Sequence, residues 1–141
     1  MANFSKRSLD NLVGVHPNLV KVMHEAIKDT PVDFTIVEGV RTAARQSELY
    51  AQGRTKSGPK VTNVDGVKSK SNHQVKADGF GHAVDVYPYF GGKVQVEGAE
   101  VDKRLHILAA HIKATAKCMG ITITWGGDWK SPYDPPHFEL K

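Results

Sequence analysis

The stretch SNHQVKADGFGHAVDVYP, residues 71–88, runs from a polar loop into a segment whose side chains alternate as in a β-strand. Successive side chains of a strand point to opposite faces. One face carries a carboxylate among mostly small side chains, namely Gly81, Ala83, Asp85 and Tyr87. The other face carries His82, Val84 and Val86. Because the valines belong in a core, we expect a strand that turns Asp85 outward or into a cleft.

The small residues beside Asp85 allow two interpretations. Gly81 and Ala83 leave the strand surface nearly bare next to the carboxylate, as a bound ion and a substrate would require. The same residues equally fit a strand that packs closely against another backbone segment. The sequence of this strand alone leaves both interpretations open.

Hydrophobic periodicity predicts the elements around this strand. Helices are expected at about residues 17–29, 43–52 and 102–119, and Gly53 and Gly120 end the last two. Strands are expected in DFTIVEGVRT, GHAVDVYPY, KVQVE, ITITW and HFEL. Residues 54–72 show little periodicity and are expected to form a long surface loop, which is uncommon unless it is functional or mobile. The pattern indicates an α+β fold with a small, mostly antiparallel sheet and helices packed around it.

The composition is that of one globular domain, residues 1–141, with 40% hydrophobic and 24% charged residues. No stretch of 18 apolar residues occurs, so we expect neither a transmembrane helix nor stable membrane association. The N-terminal residues lack the apolar core of a secretory signal, which predicts synthesis and initial retention in the cytoplasm. One cysteine excludes an internal disulfide, and we expect a monomer.

The net charge of +4 weakly favours a polyanionic partner. The basic residues are spread along the chain, and no nucleic-acid-binding motif or aromatic platform accompanies them. We therefore expect no nucleic-acid partner, although charge alone leaves that alternative open. A bacterial cell wall, as an anionic polymer, would be attracted equally well.

The C-terminal segment repeats the arrangement of the strand with Asp85. In HFEL, Phe138 and Leu140 point one way, whereas His137 and Glu139 point the other. Asp134 precedes His137 and is separated from it by two prolines, which fix the backbone. His137 therefore lies on the polar face of a strand that has an apolar back.

These residue types fit a catalytic zinc site, which takes three protein ligands and leaves a fourth position to water. Asp85, His137 and one further histidine would supply the ligands, and a carboxylate near the open position would serve as general base. An isolated Asp and His on strand faces equally fit a surface pair, because such side chains are mostly exposed. Spacing alone does not decide between the two.

Three motifs in order resemble a known family. Ser71-Asn72-His73, then Gly81-His82-Ala83-Val84-Asp85, then Asp134-Pro135-Pro136-His137 are similar to the signature S-x-H, G-x-A-x-D, [DE]-x-x-H. This is the signature of the zinc D-alanyl-D-alanine carboxypeptidase and L-alanyl-D-glutamate endopeptidase family, peptidase M15. The strand that ends in Arg41, and WGGDW followed by D-x-x-H-x-E-L, resemble its short phage endolysins. The resemblance covers nearly the whole chain and implies no separate cell-wall-binding domain.

The resemblance implies a role for each matching residue. It implies zinc ligation by His73, Asp85 and His137. Asp134 would be the general base that takes a proton from the attacking water and passes it to the leaving amine. Arg41 would stabilise the developing oxyanion or hold the substrate carbonyl, although a surface salt bridge is the usual fate of an arginine at a strand end. Ser71 would help to orient His73, a support that metal-binding histidines usually need.

The sequence departs from the family pattern between the first two motifs. Seven residues separate His73 from Gly81, whereas many members have two, so His82 is a rival for the first ligand. Strand alternation turns His82 away from Asp85, and Ser71 stands two residues before His73 as the motif requires. We therefore assign the ligand to His73. Gln46, Asp128 and Trp129 are further candidates for the cleft lining, with packing as the alternative for Trp129.

The resemblance implies a zinc peptidase that cleaves stem peptides of bacterial peptidoglycan. The absence of a secretory signal favours a phage endolysin that stays in the host cytoplasm until it is released to the cell wall. An L-alanyl-D-glutamate endopeptidase is therefore expected, with a D-alanyl-D-alanine carboxypeptidase or dipeptidase as the alternative. A non-catalytic peptidoglycan-binding module is the alternative from another class, and the presence of both Asp134 and Arg41 favours the enzyme.

Overall fold

The computed structural model describes residues 3–62, 64–69, 71–130 and 133–141, and these residues form four α-helices and five β-strands. The helices are α1 (Lys6–Leu12), α2 (Pro17–Lys28), α3 (Ala43–Ala51) and α4 (Ala99–Cys118). The strands are β1 (Phe34–Glu38), β2 (Ala83–Phe90), β3 (Lys93–Val94), β4 (Ile123–Trp125) and β5 (His137–Leu140). A short 3-10 helix at Gly126–Asp128 follows β4. The predicted α+β class is confirmed.

The sheet is antiparallel in every pairing, with the strand order β1-β2-β5-β4 and with β3 paired to the end of β2. Its register places Glu38 of β1 opposite Asp85 of β2, and Asp85 opposite His137 of β5. Three polar side chains therefore form a row across three neighbouring strands. This row lies where the sequence predicted the polar faces of β2 and β5.

The opposite face of the sheet packs on the core. Val84 and Val86 of β2 and Phe138 of β5 are fully buried, as the alternation predicted. They belong to one cluster with the apolar sides of α2 and α4, of which the fully buried members include Leu19, Val22, Met23, Leu108 and Ile112. Truncating a buried side chain such as Phe138 to alanine would cost about 3–5 kcal/mol. The core thus gives the polar row a rigid base.

Helix α1 was not predicted from the sequence. Ser5 caps its N-terminus, since the Ser5 hydroxyl accepts from the backbone N–H of Ser8. The helix is joined to β1 by two side chains: the Ser8 hydroxyl accepts from Ile36 N–H, and the Asn11 amide donates to the Ile36 carbonyl. A Cβ on Gly39 would collide with the Asn11 carbonyl oxygen, so only glycine allows this close approach.

Other boundaries differ modestly from the predictions. KVQVE forms a strand only at Lys93–Val94, and α4 begins at Ala99 instead of residue 102. Between α3 and β2, no helix or strand is present among the described residues, so the predicted long loop stands. Helix α3 holds part of this loop, because the Ser47 hydroxyl donates to the Asp65 carbonyl at 2.9 Å. None of the helices in the described parts of the chain is both long and apolar enough to cross a membrane.

Candidate metal centre

Three predicted ligands meet at the polar row of the sheet. Asp85 and His137 are cross-strand partners, and His73 approaches from the loop that precedes β2. Asp85 Oδ1 lies 3.3 Å from His73 Nε2 and 3.3 Å from His137 Nδ1. The two ring nitrogens are 3.1 Å apart. One atom from each residue therefore converges on one point.

Hydrogen bonds on the far side of each ring fix the tautomer of each histidine. His73 Nδ1 lies 2.9 Å from the Gly39 carbonyl oxygen, which can only accept, so Nδ1 carries the hydrogen. His137 Nε2 lies 2.7 Å from a carboxylate oxygen of Glu139, so Nε2 donates there. In the neutral rings, the lone pairs of His73 Nε2 and His137 Nδ1 therefore face Asp85. Such bonds are what orient metal-binding histidines.

The convergent atoms fit a small cation. Two imidazole lone pairs and a carboxylate oxygen repel one another at these distances unless a positive charge lies between them. Asp85 Oδ1 is buried and has no hydrogen-bond partner among the described residues. A tetrahedral zinc ion with bonds of about 2.0–2.1 Å separates its ligand atoms by about 3.3 Å. The observed separations of 3.1 and 3.3 Å match that requirement.

The electrostatics of the metal-free cluster agree with this arrangement. Burial alone would raise the pKa of Asp85, but the adjacent His73 and His137 outweigh it and hold the pKa far below its usual range. Burial alone would lower the pKa of His137, but Asp85 and Glu139 outweigh it and raise the pKa to about 9. Without a metal ion, the cluster therefore favours a proton in the place of the cation.

Asp134 lies beside the cluster without joining it. Its carboxylate oxygen is 3.9 Å from His137 Nδ1, and its side chain is 38% exposed, toward the cleft. Burial and the negative charge of Asp85 raise the pKa of Asp134, against the opposing effects of His137, His73 and Arg41. A carboxylate with a raised pKa next to an ion site has the properties of a general base.

Arg41 lies on the other flank of the row and is only 9% exposed. Its guanidinium donates two hydrogen bonds to the Glu38 carboxylate at 2.8 and 2.7 Å and one to Gln46 Oε1 at 2.8 Å. Arg41 Nη2 also lies 3.5 Å from Asp85 Oδ2. Arg41 is therefore not part of a surface salt bridge but lines the wall beside the cluster of His73, Asp85 and His137.

The cluster forms the floor of a cleft of about 520 Å³, a volume typical of small-molecule sites. Trp129 lines it and packs its ring 5.0 Å from the ring of His137. Helix α3 and the long loop contribute Leu49, Val61 and Val64 to the apolar part of the lining. Of the other candidates for the lining, Asp128 instead pairs with Lys113 at 2.6 Å on the surface, and Gln46 is fully buried behind Arg41.

Comparison with known proteins agrees with this geometry. The family model described as phage L-alanyl-D-glutamate peptidase matches residues 1–140. The chain belongs to this family. It is 33% identical over 138 residues to the L-alanyl-D-glutamate peptidase of Escherichia phage T5, with 98% of this chain and 88% of the relative covered.

Two further relatives extend the comparison to bacteria. The peptidase is 34% identical over 130 residues to the peptidoglycan L-alanyl-D-glutamate endopeptidase CwlK of Bacillus subtilis strain 168, with 89% of this chain and 73% of the relative covered. The crystal structure of the Serratia marcescens L-Ala D-Glu endopeptidase ChiX matches with a TM-score of 0.74 and 36% identity. That match covers 98% of this chain and 89% of the solved chain.

The rival ligand His82 lies on the other side of β2 in this peptidase. Its Nε2 lies 2.6 Å from Asp78 Oδ2, and its ring packs 5.2 Å from the ring of His16. The sequence left open whether Gly81 exposes a bare strand surface or lets another backbone segment pack closely. The structure shows close packing, because a Cβ on Gly81 would lie 2.9 Å from the His73 carbonyl oxygen. The glycine thus lets the backbone that carries His73 approach β2.

Ser71 supports His73 differently from the expected way. The Ser71 hydroxyl accepts from the backbone N–H of His73 at 3.1 Å, and thus fixes the turn instead of the ring. The ring is oriented by the Gly39 carbonyl. The resemblance gave no indication of this contact, because a backbone carbonyl leaves no mark in the sequence.

Sequence reasoning did not assign a role to the two residues that orient His137. The Glu139 carboxylate accepts from His137 and, at 2.6 Å, from the Asn72 amide. Burial alone would raise the pKa of Glu139, but these two bonds outweigh it and lower the pKa, so the carboxylate stays ionised. A signal for Glu139 was present, since strand alternation placed it on the same face as His137. No comparable pattern marked Asn72.

Proposed function

We propose that this chain is a zinc-dependent endopeptidase that cleaves the L-alanyl-D-glutamate bond in stem peptides of bacterial peptidoglycan. The observation that carries the proposal is the convergence of three ligand atoms on a cleft floor with Asp134 beside them. The relatives supply the bond, because T5 peptidase, CwlK and ChiX are all named for it. The geometry of the site and the sequence similarity to these relatives thus both support peptide-bond hydrolysis.

The finer assignments belong to the same proposal. The three ordered motifs support membership of peptidase M15, and the family match over residues 1–140 supports a single catalytic domain. The similarity to a phage T5 peptidase supports a role as an endolysin in host lysis. Such an enzyme would remain in the host cytoplasm until it is released to the cell wall.

His73, Asp85 and His137 would hold the zinc ion. Two imidazoles and one carboxylate form a usual donor set for catalytic zinc, and among the described residues no fourth protein ligand joins them. Zinc, when bound, would polarise the scissile carbonyl and lower the pKa of the attacking water. A structural zinc site would be closed by four protein ligands, so the three-ligand set supports an enzyme over a binding module.

Asp134 would act as the general base and then as the general acid. Its side chain is partly exposed to the cleft and lies within 3.9 Å of a ligand nitrogen, so a water at the ion site would be within its reach. Its raised pKa makes the carboxylate a better proton acceptor than an ordinary aspartate, and the carboxylate would then pass the proton to the leaving amine. The leaving half of the substrate would therefore lie on the β5 flank of the cleft.

Arg41 would stabilise negative charge that develops on the carbonyl oxygen. It lines the cleft on the β1 flank, across Asp85 from Asp134, and its guanidinium is held by Glu38 and Gln46. A donor that is already fixed needs no reorganisation when the charge appears. We infer that the acyl half of the substrate lies toward this flank.

Digestion of purified Gram-negative peptidoglycan, with the released termini identified by mass spectrometry, tests the proposal. Wild type would be compared with Asp134→Ala, which we expect to lower kcat about 10²–10⁴-fold, and with a chelator-treated sample. New glutamate amino termini that disappear in both controls are the expected result. Loss of terminal D-alanine would assign the protein to the carboxypeptidases instead. No cleavage by zinc-loaded protein would support the binding module.

A further inference from the structure

Gln46 of α3 connects the two sides of the cleft wall on the β1 flank. Its side chain is fully buried, and both ends of its amide are used. The carbonyl end accepts from Arg41 Nη1 at 2.8 Å. The NH₂ end donates to Thr62 Oγ1 at 3.1 Å and to the Val64 carbonyl at 2.7 Å. One amide therefore links the arginine of the site to the long loop.

The loop residues that Gln46 holds are part of the cleft. Thr62 and Val64 line it, together with Leu49 and Val61. The Thr62 hydroxyl oxygen also accepts from Val64 N–H at 3.1 Å, so both of its lone pairs are used. Its remaining capacity is the O–H donor, and the described residues supply no acceptor for it. A substrate oxygen in the cleft would supply the missing hydrogen-bond acceptor for the Thr62 hydroxyl.

The packing around Gln46 leaves little freedom for another arrangement. A Cβ on Gly66 would lie 2.8 Å from Gln46 Cβ, so the loop backbone rests directly on the side chain. The neighbouring residue Ser47 donates to the Asp65 carbonyl at 2.9 Å. A buried amide with every group satisfied specifies a single geometry, because any displacement leaves a polar group without a partner.

We propose that Gln46 is a positioning residue, which holds Arg41 and the loop wall at Thr62 and Val64 in fixed places on either side of the bound acyl half of the substrate. This inference rests on the proposed peptidase function. Gln46 acts on Arg41 through its carbonyl oxygen and on the loop through its NH₂ group. The two effects are therefore separable by mutation.

Gln46→Leu removes both effects, and Gln52→Leu is the matched control. Gln52, at the end of the same helix, also donates to a loop carbonyl, that of Pro59 at 2.8 Å, but has no contact with Arg41. With a soluble peptide that contains the L-alanyl-D-glutamyl bond, we expect Gln46→Leu to lower kcat about 100-fold, since small displacements of a catalytic group are that costly. Gln52→Leu should stay within about twofold of wild type.

A double-mutant cycle separates positioning from general destabilisation. If Gln46 acts on kcat through Arg41, adding Gln46→Leu to an Arg41→Ala variant should lower kcat further by less than about threefold. The proposal is overturned if the two losses multiply, if Arg41→Ala leaves kcat unchanged, or if Gln46→Leu behaves like Gln52→Leu.

Gln46→Glu tests the loop effect and also serves if the leucine variant does not fold. The carboxylate still accepts from Arg41 but cannot donate to Thr62 and Val64. We expect kcat to be largely kept, KM to rise about tenfold, and backbone hydrogen exchange in residues 61, 62 and 64–69 to become faster. Unchanged KM and exchange would overturn the proposal. If wild type leaves the L-alanyl-D-glutamyl bond intact, the proposed function fails, whereas the exchange measurement still tests the hold on the loop.

Discussion

Two clusters of two histidines and one aspartate lie on opposite sides of β2. The first comprises His73, Asp85 and His137 and forms the cleft floor. The second comprises His16, Asp78 and His82 and lies where the segment between His73 and Gly81 meets the start of α2. Both clusters draw on the same stretch of sequence, residues 71–88, and their residue types are identical.

Burial and the direction of the lone pairs distinguish the two clusters. In the first, the aspartate is 16% exposed, and its buried Oδ1 has no hydrogen-bond partner among the described residues. In the second, Asp78 is 40% exposed and its Oδ2 lies 2.6 Å from His82 Nε2. His16 uses its Nδ1 to accept from Asn18 N–H at the start of α2. The second carboxylate therefore already has its partners.

The comparison shows that the acceptor on the outer side of each histidine ring determines whether the lone pair of that ring faces the aspartate. Gly39 and Glu139 take the outer N–H of each histidine in the first cluster and so turn both lone pairs inward. Among the described residues, the first cluster brings one ligand atom from each of its three residues within 4.8 Å of one another. Residue types alone would have made the two clusters equal candidates for a metal ion.

The largest expected effect is the difference between the two clusters when the same substitution is made in each. Asp85→Asn removes the charged ligand and should abolish both zinc binding and peptide hydrolysis. Asp78→Asn makes the same chemical change in the exposed cluster and should leave zinc content at one ion per chain and activity within about twofold, because surface substitutions have small effects. Zinc content after dialysis and the rate of peptidoglycan digestion measure the difference. Equal loss in both variants would remove the distinction between the clusters.

The next effect concerns the support behind His137. Glu139→Gln leaves an amide that can still contact the ring but no longer fixes its tautomer with a charge. We expect zinc affinity to fall about 10–100-fold, as is usual when the partner of a metal-binding histidine is lost. Competition with a chelating dye measures the affinity. Unchanged affinity would show that the geometry of the three ligands suffices without this support.

A pH effect is expected in the metal-free protein. Asp85 and Glu139 raise the pKa of His137 from 6.5 to about 9, so its contribution to stability is fully present below pH 6.5 and is lost as the pH rises through about 9. The loss should be on the order of 2–3 kcal/mol. Chemical unfolding with a chelator at pH 6.5 and pH 9.5 measures it, with His137→Gln as the control. A control that loses as much stability as wild type would refute this origin.

The smallest effect is expected in the second cluster. His16→Ala removes the cap at the start of α2 and should cost about 1 kcal/mol of unfolding free energy. Zinc affinity and kcat should remain those of wild type, because His16 has no contact with the cleft. Thermal unfolding and metal titration on the same sample would test both statements. A weaker metal site would mean that the two sides of β2 are coupled.

Much of this arrangement could be predicted because alternation and motif order are local signals. The faces of β2 and β5 followed from a period of two residues, and they brought Asp85 and His137 to one surface. His73 could be preferred over His82 for the same reason. Fold class followed from the order of the elements, since short strands between helices leave few other architectures.

The features that escaped prediction depend on long-range contacts. Helix α1 has no long apolar stripe and is held by Ser8 and Asn11, whose partners lie in β1. Asn72 bonds to Glu139 across 67 positions of the chain. Gln46 shows no sign in the sequence that its amide would be buried between Arg41 and a loop. Such pairings depend on where distant segments meet, and no local period records them.

Gly39 has a consequence for anyone who would modify or transplant this catalytic motif. One face of its peptide touches the Asn11 backbone of α1, and its carbonyl holds the ring of His73. A disturbance at the start of the chain, from a fused tag or a shortened helix, would therefore reach the predicted ion site through the Gly39 peptide group. Residues 71–139 alone would carry the three ligands and Glu139 to a new scaffold but would leave behind the Gly39 carbonyl that orients the ring of His73.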